Sequence, residues 1–224
     1  MAISGFERSH FMVDSGKFWD AQAEKYAKQP IANEAAYAAT LDRTRYYLED
    51  DQRVLEVGCG TGTTALHLCD SVEEYVGSDI SQSMIRIASA KAFEHGASNV
   101  AFKTAAVGEI ANKNTPFDAV IGFNLLHLLP SLDDDLKRIA SVLRPGGLFI
   151  SKTFCGLGPK APLKWRLMKL ALPVIQMLGK APFVRFQKEA DLKGQIESHG
   201  FEVLEIRHFV TEFSVPFIVA RKLA

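Results

Sequence analysis

Cysteine is scarce in this chain. Cys59, Cys69 and Cys155 are the only three in 224 residues, and their wide separation excludes a disulfide framework and a compact metal-ligand set. A reduced, cytoplasmic setting with the thiols as packing groups is expected. Charge of one sign is missing too: 26 Lys and Arg balance 26 Asp and Glu, so no global field draws nucleic acid to the surface. No run approaches the roughly 18 apolar residues of a membrane-spanning helix. The opening stretch "MAISGFERSHFMVDSG" has no apolar core of secretory length, so no leader is expected there. Repeats and low-complexity tracts are absent. What remains is ordinary for one globular domain, 47% apolar and 23% charged, and long enough to bury a real core.

Apolar spacing predicts helix from Phe18 to about Glu49, with Pro30 as a breaking point. Strand, turn and helix then alternate. Val54 to Val57 is a strand, Thr64 to Cys69 opens a helix, and "YVGSDIS" (75–81) is a second strand with Ser81 placed to cap the helix of Met84 and Ile87. Val100 to Ala106, Phe117 to Phe123 and Leu148 to Thr153 read as further strands, the last preceded by an Arg144-Pro145-Gly146-Gly147 turn. A helix, "EADLKGQIESHG", and two closing strands, "FEVLEIRHF" and "SVPFIVARK", follow. The early strands are too continuously apolar for a sheet with one wet face, which calls for helices on both sides of a mostly parallel sheet. About four residues join the last two strands, too few for a crossover, so the final strand is expected to run antiparallel. Pro216 fits that strand's start or a bulge.

The stretch "RVLEVGCGTGTTALHL" carries the chemistry. Gly58, Gly60 and Gly62 alternate between an apolar run and a helix, where the chain must turn tightly and approach a ligand closely. No glycine-lysine-serine ending follows, so this is not a phosphate loop. A dinucleotide turn puts its third glycine three residues after the second, whereas here it comes two after. Glu56 lies two residues before the first glycine, where a carboxylate would repel a pyrophosphate and attract an ammonium group. Asp79 ends the second strand, 23 residues after Glu56, and suits ribose hydroxyls. A glycine turn without any ligand is the bland alternative.

"VLEVGCGTG", "VGSDIS", "FDAVIGFNLLHLLP" and "VLRPGGLFISKT" resemble the successive motifs of the class I S-adenosylmethionine-dependent methyltransferases, over about residues 50–153. Within that family the chain is similar to small bacterial enzymes of the ubiquinone-biosynthesis type. The resemblance implies a Rossmann-like α/β sheet of order 3-2-1-4-5-7-6 with the seventh strand antiparallel. It also implies one methyltransferase domain over 1–224: an amino-terminal helical cover (1–49), a cofactor core (50–153), a lid insertion (154–188), and a closing helix and strands (189–224). Glu56, Gly58, Cys59, Gly60 and Gly62 would then surround the methionine part of S-adenosyl-L-methionine. Asp79 would take the ribose, Ile80 and Met84 would flank the adenine, and Asn124 and Leu125 would close the pocket. After the third strand this chain reads "TAAVGEI", so adenine recognition falls to the surroundings of Ala106 and Val107 or to Glu109.

Methyl transfer from a sulfonium needs an aligned acceptor more than an acid or base. His127, after the fourth strand, and Tyr26, in the amino-terminal cover, are the candidate catalytic residues, each with a packing role as its competitor. The other five histidines show no spacing for a metal, and no metal is expected. The insertion holds eight Lys or Arg and no acid from Lys152 to Lys188, interleaved with Trp165, Leu167, Met168, Leu170, Leu172, Val174, Ile175, Met177 and Leu178. Two readings stand: a lid buried on the amino-terminal helices, covering the site mouth from Leu163 to Val184, or a lid meeting a membrane surface. The acceptor expected is a small, apolar molecule, methylated on oxygen, nitrogen or carbon by in-line displacement. Nucleic acid is disfavoured, and oligomeric state is not legible. The alternatives are a cofactor-binding module without methyl transfer and an NAD-dependent oxidoreductase.

Overall fold

The computed structural model describes residues 5–110, 116–158, 161–177 and 180–224; the side chains of 5–14, 168, 169 and 177 also lie outside the description. Met168, Met177 and Leu178 of the apolar insertion therefore fall outside the described side chains.

Seven strands form one sheet: β1 (Arg53–Val57), β2 (Glu74–Asp79), β3 (Val100–Thr104), β4 (Phe117–Phe123), β5 (Leu143–Lys152), β6 (Phe201–His208) and β7 (Pro216–Lys222). Their spatial order is β3-β2-β1-β4-β5-β7-β6. The first five are parallel, and β7 runs antiparallel to both of its neighbours, as the short last connection and the family resemblance required. Alternate side chains feed two cores. Leu55, Val120, Phe149 and Ile218 meet Leu136 and Ile139 of α5 (Leu132–Val142) and Leu192 and Ile196 of α7 (Glu189–Ser198) on one face. Val54, Ile121, Ile150 and Phe217 meet Leu41 of α2 (Glu34–Arg45) and Ala65 and Leu68 of α3 (Thr63–Leu68) on the other. This two-sided burial is why the strands read as continuous apolar runs.

The amino-terminal helix divides where Pro30 suggested, but into α1 (Gly5–Ala27) and α2, with Asn33 capping α2 by accepting from the Ala36 amide at 2.9 Å. Ser81 caps α4 (Gln82–His95) by accepting from the Met84 amide at 3.1 Å. Three expectations need correction. The Arg144–Gly147 turn is instead a bulge inside β5, where Phe117 pairs with Leu143 and Ala119 already pairs with Leu148. The link between β6 and β7 is longer than four residues, because Phe213–Ser214 pairs with Gly156–Leu157 in a separate two-stranded ribbon before Pro216 opens β7. The insertion's helix, α6 (Leu163–Met177), runs on past Pro173 with one side uncovered: Leu167 is 58% and Leu170 77% exposed. A lid buried on the amino-terminal helices is one of two readings of this segment, and the uncovered side does not fit it. No helix among the described residues is long and apolar enough to cross a membrane.

Candidate functional site

A pocket of about 310 Å³ opens at the carboxyl ends of the central strands, where open α/β sheets bind ligands. The turn after β1 brings Gly58 and Gly60 to its wall, the end of β2 brings Asp79 and Ile80, and the end of β4 brings Phe123, Asn124 and Leu125. Ala105 to Gly108, after β3, line another side, and Trp19 and Tyr26 of α1 cover it.

The glycine turn is built by steric necessity. Gly58 has φ +67°, and a Cβ there would stand 2.7 Å from Leu125 Cδ1. Gly62 has φ +74° at the amino end of α3, and its Cβ would stand 2.8 Å from both Ala88 Cβ and Phe102 Cζ. Any side chain would push α3 away from β3 and α4. Asn124, with φ +53°, is the one non-glycine residue of positive φ among the described residues, and its amide donates to the Lys152 carbonyl at 2.6 Å. Such a backbone at a pocket wall is strain of the kind concentrated in functional sites.

Asp79 does two jobs. Its carboxylate accepts from the Gly60 amide at 3.0 Å and from the Ser81 amide at 2.9 Å, tying the first turn to the second. Burial raises its pKa above the ordinary value, against the opposing pull of those amides. Behind it, Glu56 is buried and accepts from the Tyr75 hydroxyl at 3.1 Å. Desolvation pushes Glu56 up to about 8, with the Tyr75 bond pulling downward and Asp79 adding repulsion. Tyr26 is held above its ordinary pKa by burial, then by Asp79 and Glu56, so its phenol stays neutral at pH 7.

Of the residues singled out in the sequence, Tyr26, Gly58, Gly60, Asp79, Ile80, Met84, Ala106, Val107, Asn124 and Leu125 share this wall. Glu56, Cys59 and Gly62 do not line it; they lie behind it and shape the turn. His127 is also off the wall. Its Nδ1 lies 2.9 Å from Thr153 Oγ1, its amide donates to the same oxygen, and its carbonyl accepts from the Arg185 amide at 2.6 Å. Burial lowers its pKa to about 4, so the imidazole is neutral at pH 7. Glu109 is exposed and turns back to accept from the Ala106 amide at 2.9 Å, away from the pocket. Among the described residues of 154–188, Pro182 alone lines the pocket. α6 does not wall it, because Trp165 packs against Phe213 of the ribbon, ring centroids 5.7 Å apart.

Several contributors had no signal in the sequence. Asp20 of α1 accepts from Ser81 Oγ at 2.6 Å and from the Ser83 amide at 2.9 Å, fastening the cover to the start of α4. A lone acid in a helix gives no hint of partners some sixty residues away. Ser131, Asp134, Asp135 and Arg138 give the wall a polar end at α5, though a helix with three acids in its first turn reads first as dipole compensation. No cluster of three or more metal-ligating side chains occurs among the described residues.

Comparison with known proteins agrees with this geometry. The family described as "Methyltransferase domain" matches residues 27–206. The ubiquinone biosynthesis O-methyltransferase of Xanthomonas axonopodis pv. citri is 24% identical over 213 residues, covering 92% of this chain and 84% of that protein. The fatty-acid O-methyltransferase of Mycolicibacterium smegmatis is 33% identical over 103 residues, 45% of this chain and 36% of that one. The chain spans well under half the length of several curated relatives it matches. Among solved structures, the [4+2]-cyclase SpnF superposes with a TM-score of 0.74 at 19% identity, covering 94% of this chain and 96% of that one.

Proposed function

The chain belongs to the methyltransferase-domain family of S-adenosylmethionine-dependent enzymes, and from that premise we propose that it methylates a small, apolar acceptor by direct in-line displacement. The observation that carries the reading is the character of the pocket wall. It offers the half-buried Asp79 carboxylate suited to hydroxyls, a glycine turn that lets backbone approach, and mostly apolar side chains elsewhere, with Ser131, Asp134, Asp135 and Arg138 confined to its α5 end; among the described residues no lysine lines it. That donor set fits a ribose, an amine and a flat base better than a pyrophosphate.

Asp79 would accept from the ribose hydroxyls while Gly60 and Ser81 keep its orientation. Ile80, Met84, Ala106 and Val107 would sandwich the adenine, Gly58 and Gly60 would face the methionine part, and Asn124 and Leu125 would border the reacting end. The bound cofactor supplies an electrophilic methyl group on a sulfonium. The chain's own contribution is alignment and exclusion of water: Trp19 and Tyr26 cover the pocket, and Leu128 to Pro130 extend an apolar wall past Leu125. Orientation of two bound reactants can be worth about 7–11 kcal/mol, enough to dispense with a strong base.

His127 suits positioning better than proton abstraction. A base works best with a pKa near the working pH, and burial has taken this imidazole to about 4. Its bonds to Thr153 and Arg185 instead hold the loop that carries Leu128 to Pro130. The small apolar acceptor is supported by the apolar wall, and relatives named for fatty-acid and ubiquinone-biosynthesis O-methylation are in keeping with it.

Calorimetry with S-adenosylmethionine, S-adenosylhomocysteine and NAD tests the cofactor half: binding of the first two at micromolar strength and none of NAD is expected, and the reverse would overturn the reading. Mass spectrometry for S-adenosylhomocysteine across phenolic, carboxylic and quinol-like acceptors tests the transfer. Cofactor binding with no product from any of them would favour a binding fold put to other use.

A further inference from the structure

α6 carries two apolar faces, and among the described residues the protein partly covers one of them. At about 100° per residue, Leu163, Leu167, Leu170 and Val174 fall within about 60° of one another, a single stripe along the helix. These four are 69%, 58%, 77% and 57% exposed. The opposite side holds Trp165 against Phe213 and the half-buried Leu172 and Ile175. Lys164 and Arg166, both exposed, flank the stripe on its two sides. Leaving four aliphatic side chains in water on one helix face has no packing rationale among the described residues.

We propose that this stripe is a docking surface for a bilayer carrying anionic lipids, with α6 lying in the plane of the interface. Charge complementarity selects that occupant. Lys164, Arg166 and Lys180 are exposed on or just beyond the helix, in a stretch from Lys152 to Lys188 that has eight cations and no acid inside a molecule that is neutral overall; Lys152 and Arg185 turn inward, to Thr40 and to the Leu129 and Pro130 carbonyls. A second copy of the chain seated on the stripe would bring like-charged rims together, which is unfavourable. A protein partner would be expected to find aromatic or arginine anchors at the centre of the patch, and this centre is leucine and valine. Aliphatic residues in the middle with cations at the rim are what an in-plane amphipathic helix presents to headgroups and acyl chains.

The surface connects to the pocket. Gln176 of α6 donates to the Pro182 carbonyl at 2.7 Å, and Pro182 lines the pocket wall. Arg185, three residues further on, donates to the carbonyls of Leu129 at 3.2 Å and Pro130 at 2.8 Å, two more wall residues. An apolar acceptor dissolved in the bilayer would thus meet the pocket from the side that touches its solvent. Docking itself does not depend on methyl transfer, because adsorption needs no acceptor.

Vesicle flotation with the full chain at low salt tests the proposal. Flotation with vesicles of equimolar phosphatidylcholine and phosphatidylglycerol is expected, with little on phosphatidylcholine alone. The L167D/L170D double variant, altered only on the exposed face, should lose at least about ten-fold in partitioning. K164E should weaken binding less and reduce its salt sensitivity. Near-ultraviolet circular dichroism and cofactor calorimetry on the same preparations verify that the variants are folded. The proposal is overturned if the wild-type chain stays in solution, if both folded variants float as well as wild type, or if neutral and anionic vesicles bind alike. It is equally overturned if sedimentation reveals a dimer that L167D/L170D dissolves, for the stripe would then belong to a second copy of the chain.

Discussion

The β1–β4 core and the α6 segment are written in similar letters and have opposite fates. Both are dense in leucine, isoleucine and valine. In the core, Leu55 and Ile121 have no exposure at all because helices lie on both sides of the sheet. In α6, Leu167 and Leu170 face solvent because one side of the helix rests on the ribbon and none of the described residues rests on the other. An apolar run therefore states that a surface wants covering. It does not state what covers it. The glycines make the same point from the other direction: Gly58 and Gly62 matter for the neighbours that crowd them, Leu125 in one case and Ala88 with Phe102 in the other.

Paired truncations break or sharpen this comparison. Leu55→Ala should cost about 2–5 kcal/mol in urea unfolding, the usual range for a cavity in a closed core. Gly62→Ala should cost about 2–4 kcal/mol, from the left-handed backbone plus overpacking against Ala88 and Phe102, and cofactor affinity should fall with it. Asp79→Ala should leave most of the stability and remove charge-assisted hydrogen bonds worth about 1.5–3 kcal/mol each, raising the calorimetric Kd at least ten-fold. An unchanged Kd would take Asp79 out of the binding site.

The pH dependence of stability comes next in size. Glu56 has its folded pKa raised to about 8 from an ordinary 4.5, so the stability it contributes is present below about pH 4.5 and is lost as pH climbs through 8. His127 has its folded pKa lowered to about 4 from 6.5, so its contribution is present above pH 6.5 and is lost as pH falls through 4. Glu56→Gln should flatten the alkaline limb of a urea-midpoint profile, and His127→Asn the acidic limb. Profiles parallel to wild type would mean that neither group titrates on unfolding. Smallest of all is Leu170→Ala, at 77% exposure, which should change stability in water by no more than about 0.5 kcal/mol. A core-sized loss there would show that the chain itself covers the stripe.

Legibility followed locality. The strands themselves and the antiparallel sense of β7 were readable because apolar runs and connection length are short-range facts, whereas the order of the sheet came only from the family resemblance of the motifs. Ten residues that share the pocket wall came from four contiguous motifs and one helix. Asp20 and Tyr75 were not readable as partners, since their roles exist only once α1 meets α4 and β1 meets β2. The bulge at Arg144 to Gly147 was misread as a turn for a subtler reason: proline and two glycines mark a departure from regular strand, and the pairing that resumes at Leu148 is invisible to them. His127 shows the same limit, because an imidazole after β4 reads as chemistry or as packing, and its partner, Thr153, lies 26 residues away.

The placement of β7 has a consequence for how the protein is made. β5 and β6 are not neighbours in the sheet; β7 lies between them and pairs with both. Phe217, Ile218, Val219 and Ala220 are entirely enclosed there, supplying both cores at once. During synthesis the chain therefore emerges with β5 ending the sheet as an open edge and β6 detached from it. Every earlier element can be in place and the sheet is still in two pieces. The strand that joins them comes after all the others, so the exposed edge of β5 persists until Pro216–Lys222 has left the ribosome, and that interval is when a nascent copy is most open to pairing with another.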